Sequence, residues 1–318
     1  MSKIELSVIL PVHNEERNVE RVYEELRYEL VSLKKTYEII FVDDGSSDHS
    51  CELLEKLAKK DKNVKVVKLL SNYGQSTALG AGIDHAQGKI IVTMDCDLQH
   101  DPKDIKELIE PLSHGFQVTC GWRRIRGDSD SFVKKTIPSR ISNFLIKKLT
   151  GLRLHDTTGG MRAFRKEVVE VVPLYGEMHR YLPILAKWKG FKITERPIHI
   201  RRRIAGRTHY NFKRILRGFL DLLTVKFFIS YSTRPFHIFA KIGIISFLLG
   251  FGIGFYYLIQ KFLFGVYLMQ EIASLILSVM LILLGVNFIC FGFIADMISF
   301  DAIASKKRQM YLVEKIIG

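Results

Sequence analysis

The chain has 318 residues, 47% of them hydrophobic, and a formal net charge of +14. That length holds one α/β domain of about 200 residues and something more, and the apolar content excludes a disordered chain. Its four cysteines (Cys51, Cys96, Cys120, Cys290) form no C-x-x-C pair, so reduced thiols are expected, while the basic excess points to nucleic acid, anionic lipid or phosphorylated substrates.

Leu6–Val12 is an apolar run that reads as a first strand; the stretch from Ile4 is too short for a signal-peptide core and contains Glu5. Glu15–Leu33 is predicted helical, with Val19, Val22, Tyr23, Leu26 and Leu30 on one face. Tyr37–Val42 is a second strand, and Ser47 or Asp48 can cap a helix running to about Lys60. Val64–Leu69, Lys89–Met94 and Val118–Gly121 read as further strands, with helices at Thr77–His85 and from Pro102 to about Ser113. Strands spaced by helices of this length predict βαβ units and a mostly parallel sheet. Beyond residue 126 the pattern loosens, and the polar segment from His155 to Arg162 is expected to be a loop before a helix.

The last third changes character. No charge occurs from Ile242 to Gln260, or from Ile272 to Ala295. Each stretch can cross a hydrocarbon core of about 30 Å as a helix. The short connection predicts a transmembrane hairpin, at about 238–260 and 272–295, within a region 235–300. Arg234 and Lys241 precede it and Lys306, Lys307 and Arg308 follow it, so both termini and the N-terminal α/β domain are expected in the cytosol. Ahead of the hairpin, Arg201, Arg202, Arg203, Arg207, Lys213, Arg214 and Arg217 form a basic block, and Phe212–Ile229 has the spacing of an interfacial helix, assigned to 211–234. Residues 301–318 are expected to be a cytosolic tail.

The chemistry gathers at strand ends. Pro11 closes the first strand and His13 and Glu15 follow it; Asp43 and Asp44 follow the second, Asp95, Asp97 and Gln99 the fourth, and Arg123 the fifth. In a parallel sheet those ends share one edge, where ligands bind. Asp95, Asp97 and Gln99 offer hard oxygen donors suited to Mg²⁺ or Mn²⁺ with coordination sites left for phosphates.

The segments PVHNEERN, VDDGSSD, NYGQSTALGAGI, DCDLQHDP, GWR, DTTGGMRAFR and RRRIAGRTHY occur in order from residue 6 to about 210. With the two C-terminal apolar stretches, they resemble a family 2 (GT-A fold) glycosyltransferase of the dolichyl- or polyprenyl-phosphate sugar synthase type, in its membrane-anchored subgroup. The resemblance implies a GT-A catalytic domain over 1–210, a nucleotide-sugar donor (a UDP-hexose or GDP-mannose), a polyprenyl or dolichyl phosphate acceptor, and a homo-oligomer. It places Pro11, His13 and Glu15 at the nucleotide, Asp43 and Asp44 near base and ribose, and Asp95, Asp97 and Gln99 at the metal and diphosphate. Arg123 and Arg203 match arginines that reach sugar or phosphates, so Asp97, Arg123 and Arg203 are the expected catalytic residues. His209 stands where many members carry lysine, and Arg207 offers a fixed charge nearby. Arg123, Arg201, Arg202, Arg207, Lys213 and Arg214 are expected at the lipid phosphate or membrane surface.

Three alternatives fit less well. A processive polysaccharide synthase carries a Q-x-x-R-W motif, and neither Trp122 nor Trp188 sits in one. A dinucleotide-binding oxidoreductase needs its glycine fingerprint after the first strand, where PVHNEE stands instead. A non-enzymatic basic scaffold or nucleic-acid binder has no need of an intact DCDLQ, so nucleic acid is not an expected partner.

Overall fold

The structure is a computed structural model. It describes residues 4–123, 154–155, 160–172, 181–201, 235–265, 271–304 and 312–318. The chain divides into two compact units: Met1–Leu223 with Gln309–Gly318, and Thr224–Arg308.

In the first unit β1 (Leu6–Val12), β2 (Tyr37–Asp43) and β3 (Val64–Leu69) alternate with α1 (Val19–Ser32), α2 (Ser50–Lys60) and α3 (Gln75–His85). Then follow β4 (Ile90–Thr93), α4 (Asp104–Ser113), β5 (Val118–Arg123), β6 (Arg162–Arg165), α5 (Lys166–Val171), α6 (Leu182–Trp188) and β7 (Ile193–Ile198). The central strands are apolar almost throughout because helices cover both faces of the sheet. Leu6, Val8, Leu10, Ile39 and Phe41 are fully buried, and Val19, Val22, Tyr23, Leu26 and Leu30 of α1 join the same core. Helix α1 starts at Val19 rather than Glu15: a turn closed by the Asn18 N–H on the Glu15 carbonyl (2.8 Å) precedes it, and the N–H groups of Glu15 and Glu16 donate to Ser50 Oγ and an Asp48 carboxylate oxygen. Asp48 also accepts from the Ser50 N–H at 3.0 Å, supporting the start of α2 as the sequence suggests.

The sheet has eight strands in the order β7-β5-β6-β4-β1-β2-β3-β8. Strand β1 pairs in parallel with β2 and β4, β2 with β3, and β5 with β7. Strand β6 is antiparallel to β4 and β5. The segment after His155 therefore leads into a strand before its helix, contrary to expectation; the four-residue R-A-F-R run is too short to announce itself. Because β6 runs backwards, its start lies beside the ends of β4 and β5. The C-terminal ends of β1, β2, β3, β4, β5 and β7 and the start of β6 thus line one edge.

Residues at the end of the chain join this sheet. Strand β8 (Val313–Ile317) pairs antiparallel with β3, from Leu69 beside Val313 to Val66 beside Ile317. The expected tail thus contributes an edge strand. Lys68 pairs with Glu314 at 3.0 Å and Lys315 with Glu55 at 3.3 Å, which match charges across and beside the edge.

The opposite end of the sheet is closed by a buried polar network. Glu38, at the start of β2, accepts from Ser7 Oγ (2.6 Å), the Gln87 N–H (2.6 Å) and Lys65 Nζ (3.3 Å). Ser7 Oγ in turn accepts from the Gly88 N–H at 2.8 Å. These bonds compensate a carboxylate that is only 4% exposed.

The second unit consists of α7 (Pro235–Phe264) and α8 (Ile272–Ala304). Phe236–Phe264 and Ile272–Ala295 are long and apolar enough to cross a membrane, with mean hydropathy 2.1 and 2.6. A seam of small residues lets the helices approach closely. A Cβ at Gly243 would lie 2.6 Å from the Gly285 carbonyl oxygen, and one at Gly285 would lie 2.6 Å from that of Gly243. Ser246 and Ser278 hydroxyls donate across the seam to the carbonyls of Leu281 (2.9 Å) and Gly250 (2.7 Å).

Candidate active site

The loops on the sheet's C-terminal edge are braced against one another. Asp44, just beyond β2, is 4% exposed, and its two oxygens accept from the N–H groups of Tyr73 (2.8 Å) and Gly74 (2.9 Å). Its carboxylate thereby places the loop between β3 and α3. Gly45 makes this closeness feasible: its φ is +64°, and a Cβ there would sit 2.6 Å from the Ser71 carbonyl carbon. His13 lies over the same junction, with Nδ1 2.9 Å from the Asp44 carbonyl oxygen and Nε2 3.0 Å from Asn72 Nδ2. The amide donates to Nε2, so Nδ1 carries the proton and donates to Asp44. Pro11 is half-buried in β1 beside Val42, and Glu15 accepts from the Asn18 amide.

Asp43 differs from its neighbour. It is fully buried; Oδ1 accepts from the Ser46 N–H at 3.3 Å, and Oδ2 is buried without a hydrogen-bond partner. An orphaned buried acceptor on a ligand-binding edge is suited to a donor supplied by substrate. The nearby Cys51 thiol is pushed up to about 11 by burial first and by the Asp43 charge second.

The Asp95–Gln99 loop follows β4. Leu98 holds a left-handed conformation with φ 60°, turning the chain so that Gln99 folds back on Asp97. Asp97 Oδ1 accepts from the Gln99 N–H at 3.2 Å, and Oδ2 accepts from the Gln99 side-chain amide. Asp95 Oδ1 accepts from Gln75 Nε2 at 2.7 Å, and its Oδ2 lies 3.6 Å from His100 Nε2. Between Asp95 and Asp97, Cys96 is buried; burial first, then the carboxylates of Glu15, Asp97 and Asp95, hold its thiol protonated far above the ordinary range. Three carboxylates therefore surround this point. Among the described residues, no group of three His, Cys, Asp or Glu side chains forms a closed metal cage. The donor set is two carboxylates with an amide oxygen alongside, which fits a hard divalent ion that completes its shell with phosphate oxygens and water.

The loop is fastened to the exit of β7. His100 and Ile200 form an isolated backbone bridge, and the Arg201 N–H donates to the Gln99 carbonyl at 2.8 Å. Arg201 extends its guanidinium to Glu25 on α1 and, at 3.0 Å, to Asp101. Burial opposes both charged forms, but the hydrogen bonds outweigh it: Asp101 is held below the usual carboxylate range and Arg201 above its own. Where the sequence suggests a residue for lipid phosphate, the structure gives a clamp with its charge already matched. His199 is bound to Asp104 through its N–H (2.6 Å) and Nδ1 (2.7 Å), which secures the start of α4.

The structure thus brings Pro11, His13, Glu15, Asp43, Asp44, Asp95, Asp97 and Gln99 to one edge, and Arg123 ends β5 there. The Arg123 side chain, residues Arg202, Arg203, Arg207, His209, Lys213 and Arg214, and the interfacial helix assigned to 211–234 lie outside the described residues. Sequence reasoning missed Gln75, His100, Arg201's bracing role and Gly160. Each of Gln75, His100 and Gly160 lies inside a segment that carries the resemblance (NYGQSTALGAGI, DCDLQHDP and DTTGGMRAFR), but nothing in the sequence links them to Asp95.

A mostly parallel sheet with acid-bearing loops on its C-terminal edge defines an α/β domain whose candidate site lies at the strand ends. The model of "Glycosyl transferase family 2" matches residues 7–172, and the chain belongs to that family. A dodecaprenyl-phosphate galacturonate synthase from Rhizobium johnstonii is 35% identical, over 99% of this chain and 94% of its own length. An undecaprenyl-phosphate 4-deoxy-4-formamido-L-arabinose transferase from Photorhabdus laumondii is 31% identical, over 98% and 94%. Among solved structures, glucosyl-3-phosphoglycerate synthase from Mycobacterium tuberculosis superposes with a TM-score of 0.54 at 20% identity, over 70% of this chain and 78% of that one; that crystal contained Mn²⁺, UDP and phosphoglyceric acid. The fold is thereby GT-A-like, and the protein is a glycosyltransferase.

Proposed function

We propose that the protein transfers one sugar from a nucleotide-sugar to a polyprenyl phosphate, with inversion at the anomeric carbon. The observation that carries this is the Asp95–Asp97–Gln99 loop on the same sheet edge as the orphaned Asp43 oxygen, in a family 2 chain that carries two long apolar helices. The names of the long relatives supply the acceptor class.

On this reading, Asp43 Oδ2 accepts from the donor's base or ribose, and His13 offers its exposed ring beside it. Asp95, Asp97 and Gln99 would hold Mg²⁺ or Mn²⁺, which when bound supplies positive charge for the leaving diphosphate. The acceptor phosphate is already anionic at neutral pH, so its oxygen attacks without a strong general base. A new bond forms between that oxygen and the anomeric carbon as the bond to the donor's β-phosphate breaks. Arg123 and Arg203 are proposed to lower the repulsion between the two anions. Two membrane-length helices keep the enzyme with an acceptor that cannot leave the bilayer, and the flanking Lys241, Lys306, Lys307 and Arg308 favour a cytosolic catalytic domain and termini.

The test is a screen of the purified full-length protein with a polyprenyl phosphate and radiolabelled UDP- and GDP-sugars, with EDTA as control. Label entering the lipid fraction from one donor, abolished by EDTA, is expected. Nucleotide-sugar hydrolysis without lipid product would refute the acceptor assignment.

A further inference from the structure

The Asp95 carboxylate is approached on both oxygens by side chains that no motif role accounts for. Gln75 Nε2 lies 2.7 Å from Oδ1, and His100 Nε2 lies 3.6 Å from Oδ2. We propose that Gln75 and His100 are positioning residues that hold Asp95 from opposite oxygens and fix its orientation toward a divalent cation. This rests on the reading of Asp95, Asp97 and Gln99 as the cation's ligands.

The route that places each group is visible. Gln75 opens α3 directly after Gly74, whose φ is +90° and whose N–H is bound by Asp44. The strand-end acid of β2 thus sets the loop that sets Gln75, and Gln75 sets Asp95. On the other side His100 is 6% exposed and is pinned through its backbone to Ile200. Gly160 makes room for the pair: a Cβ there would fall 2.5 Å from Asp95 Oδ2 and 3.0 Å from His100 Nε2.

The chemistry of the two groups suits the task. His100 Nδ1 is buried without a hydrogen-bond partner. Nε2 is the ring nitrogen that faces a carboxylate oxygen, so an N–H there points its positive end at Asp95. At 3.6 Å this contact is electrostatic rather than a formed hydrogen bond. An amide and an imidazole N–H can orient a carboxylate, whereas an arginine in either place would bring a fixed positive charge that competes with the cation.

The experiment is Mn²⁺ binding to the full-length protein, without substrates, read by the loss of free-ion EPR signal. The variants are Gln75→Leu, His100→Leu, His100→Gln and Asp97→Ala. Gln75→Leu and His100→Leu are each expected to raise the Mn²⁺ Kd about 10-fold, with His100→Gln, which keeps an N–H donor, recovering most of that loss. Gln75 is exposed, so its variant tests the idea even if His100→Leu fails to fold, which thermal melting will reveal. Wild-type Mn²⁺ affinity in Gln75→Leu, together with loss in Asp97→Ala, overturns the positioning role alone. Wild-type affinity in Asp97→Ala removes the cation reading, and the proposal with it.

Discussion

Arg201 separates a structural clamp from a substrate-binding arginine, because the two roles predict opposite results for Arg201→Met. Its guanidinium bridges Glu25 and Asp101, whose side chains are 26% and 18% exposed, while its own is 34% exposed. Two charge-assisted hydrogen bonds at buried sites would be worth about 1.5–3 kcal/mol each, but solvent screening at this exposure brings the pair to about 1–3 kcal/mol in total. For a domain of this size each 1 kcal/mol moves Tm by about 2–4 °C, so Arg201→Met is expected to melt several degrees earlier. The pH dependence has a definite sign. Asp101 titrates below its ordinary value, so its contribution is complete above the unfolded carboxylate pKa and is lost as pH falls through the depressed one. The Tm gap between wild type and variant should therefore persist at neutral pH and close only below about pH 4. The assay is thermal unfolding of the full-length protein in detergent, paired with the KM for polyprenyl phosphate. An unchanged Tm with a sharply raised acceptor KM would refute the clamp.

Three further outcomes follow from named contacts. Asp44→Ala strips the acceptor from two loop N–H groups and should weaken nucleotide binding at least about 10-fold, read by calorimetry; unaltered affinity would show that the loop keeps its place without the carboxylate. Glu38→Ala leaves Lys65 and Ser7 without their shared acceptor far from the site, so it should cost about 3 kcal/mol in stability while kcat of the folded enzyme is unchanged. Burial first, then neighbouring carboxylates, raise Cys51 to about 11 and Cys96 further, so neither thiol should be alkylated by iodoacetamide at pH 8 in the native protein; rapid labelling of Cys96, read by mass spectrometry, would contradict its burial.

The strands β1 to β4 and the apolar face of α1 were legible because a sheet covered on both sides needs unbroken apolar runs, and a one-sided helix needs a 3.6-residue period. The edge bearing Asp43, Asp44, Asp95 and Asp97 followed from that topology. Three kinds of feature were not legible. Strands β6 and β8 are four and five residues long, and their pairing is decided by partners distant in sequence. The bracing of Asp95 by Gln75 depends on a contact across 20 residues, with no local period to mark it. Arg201 reads in sequence as one of a basic run, and only its neighbours Glu25 and Asp101 distinguish it from the arginines that follow. The twin acids of β2 likewise look equivalent in sequence, yet one holds a loop and the other keeps a buried oxygen without a partner.

The central claim is that the Asp95–Gln99 loop drives sugar transfer to a lipid phosphate through a bound divalent ion. The most direct measurement compares wild type and Asp97→Ala for transfer of labelled sugar to polyprenyl phosphate at saturating Mn²⁺. Loss of a transition-state charge stabiliser predicts a fall in kcat of at least about 100-fold with the fold intact. Wild-type turnover by Asp97→Ala would contradict the account.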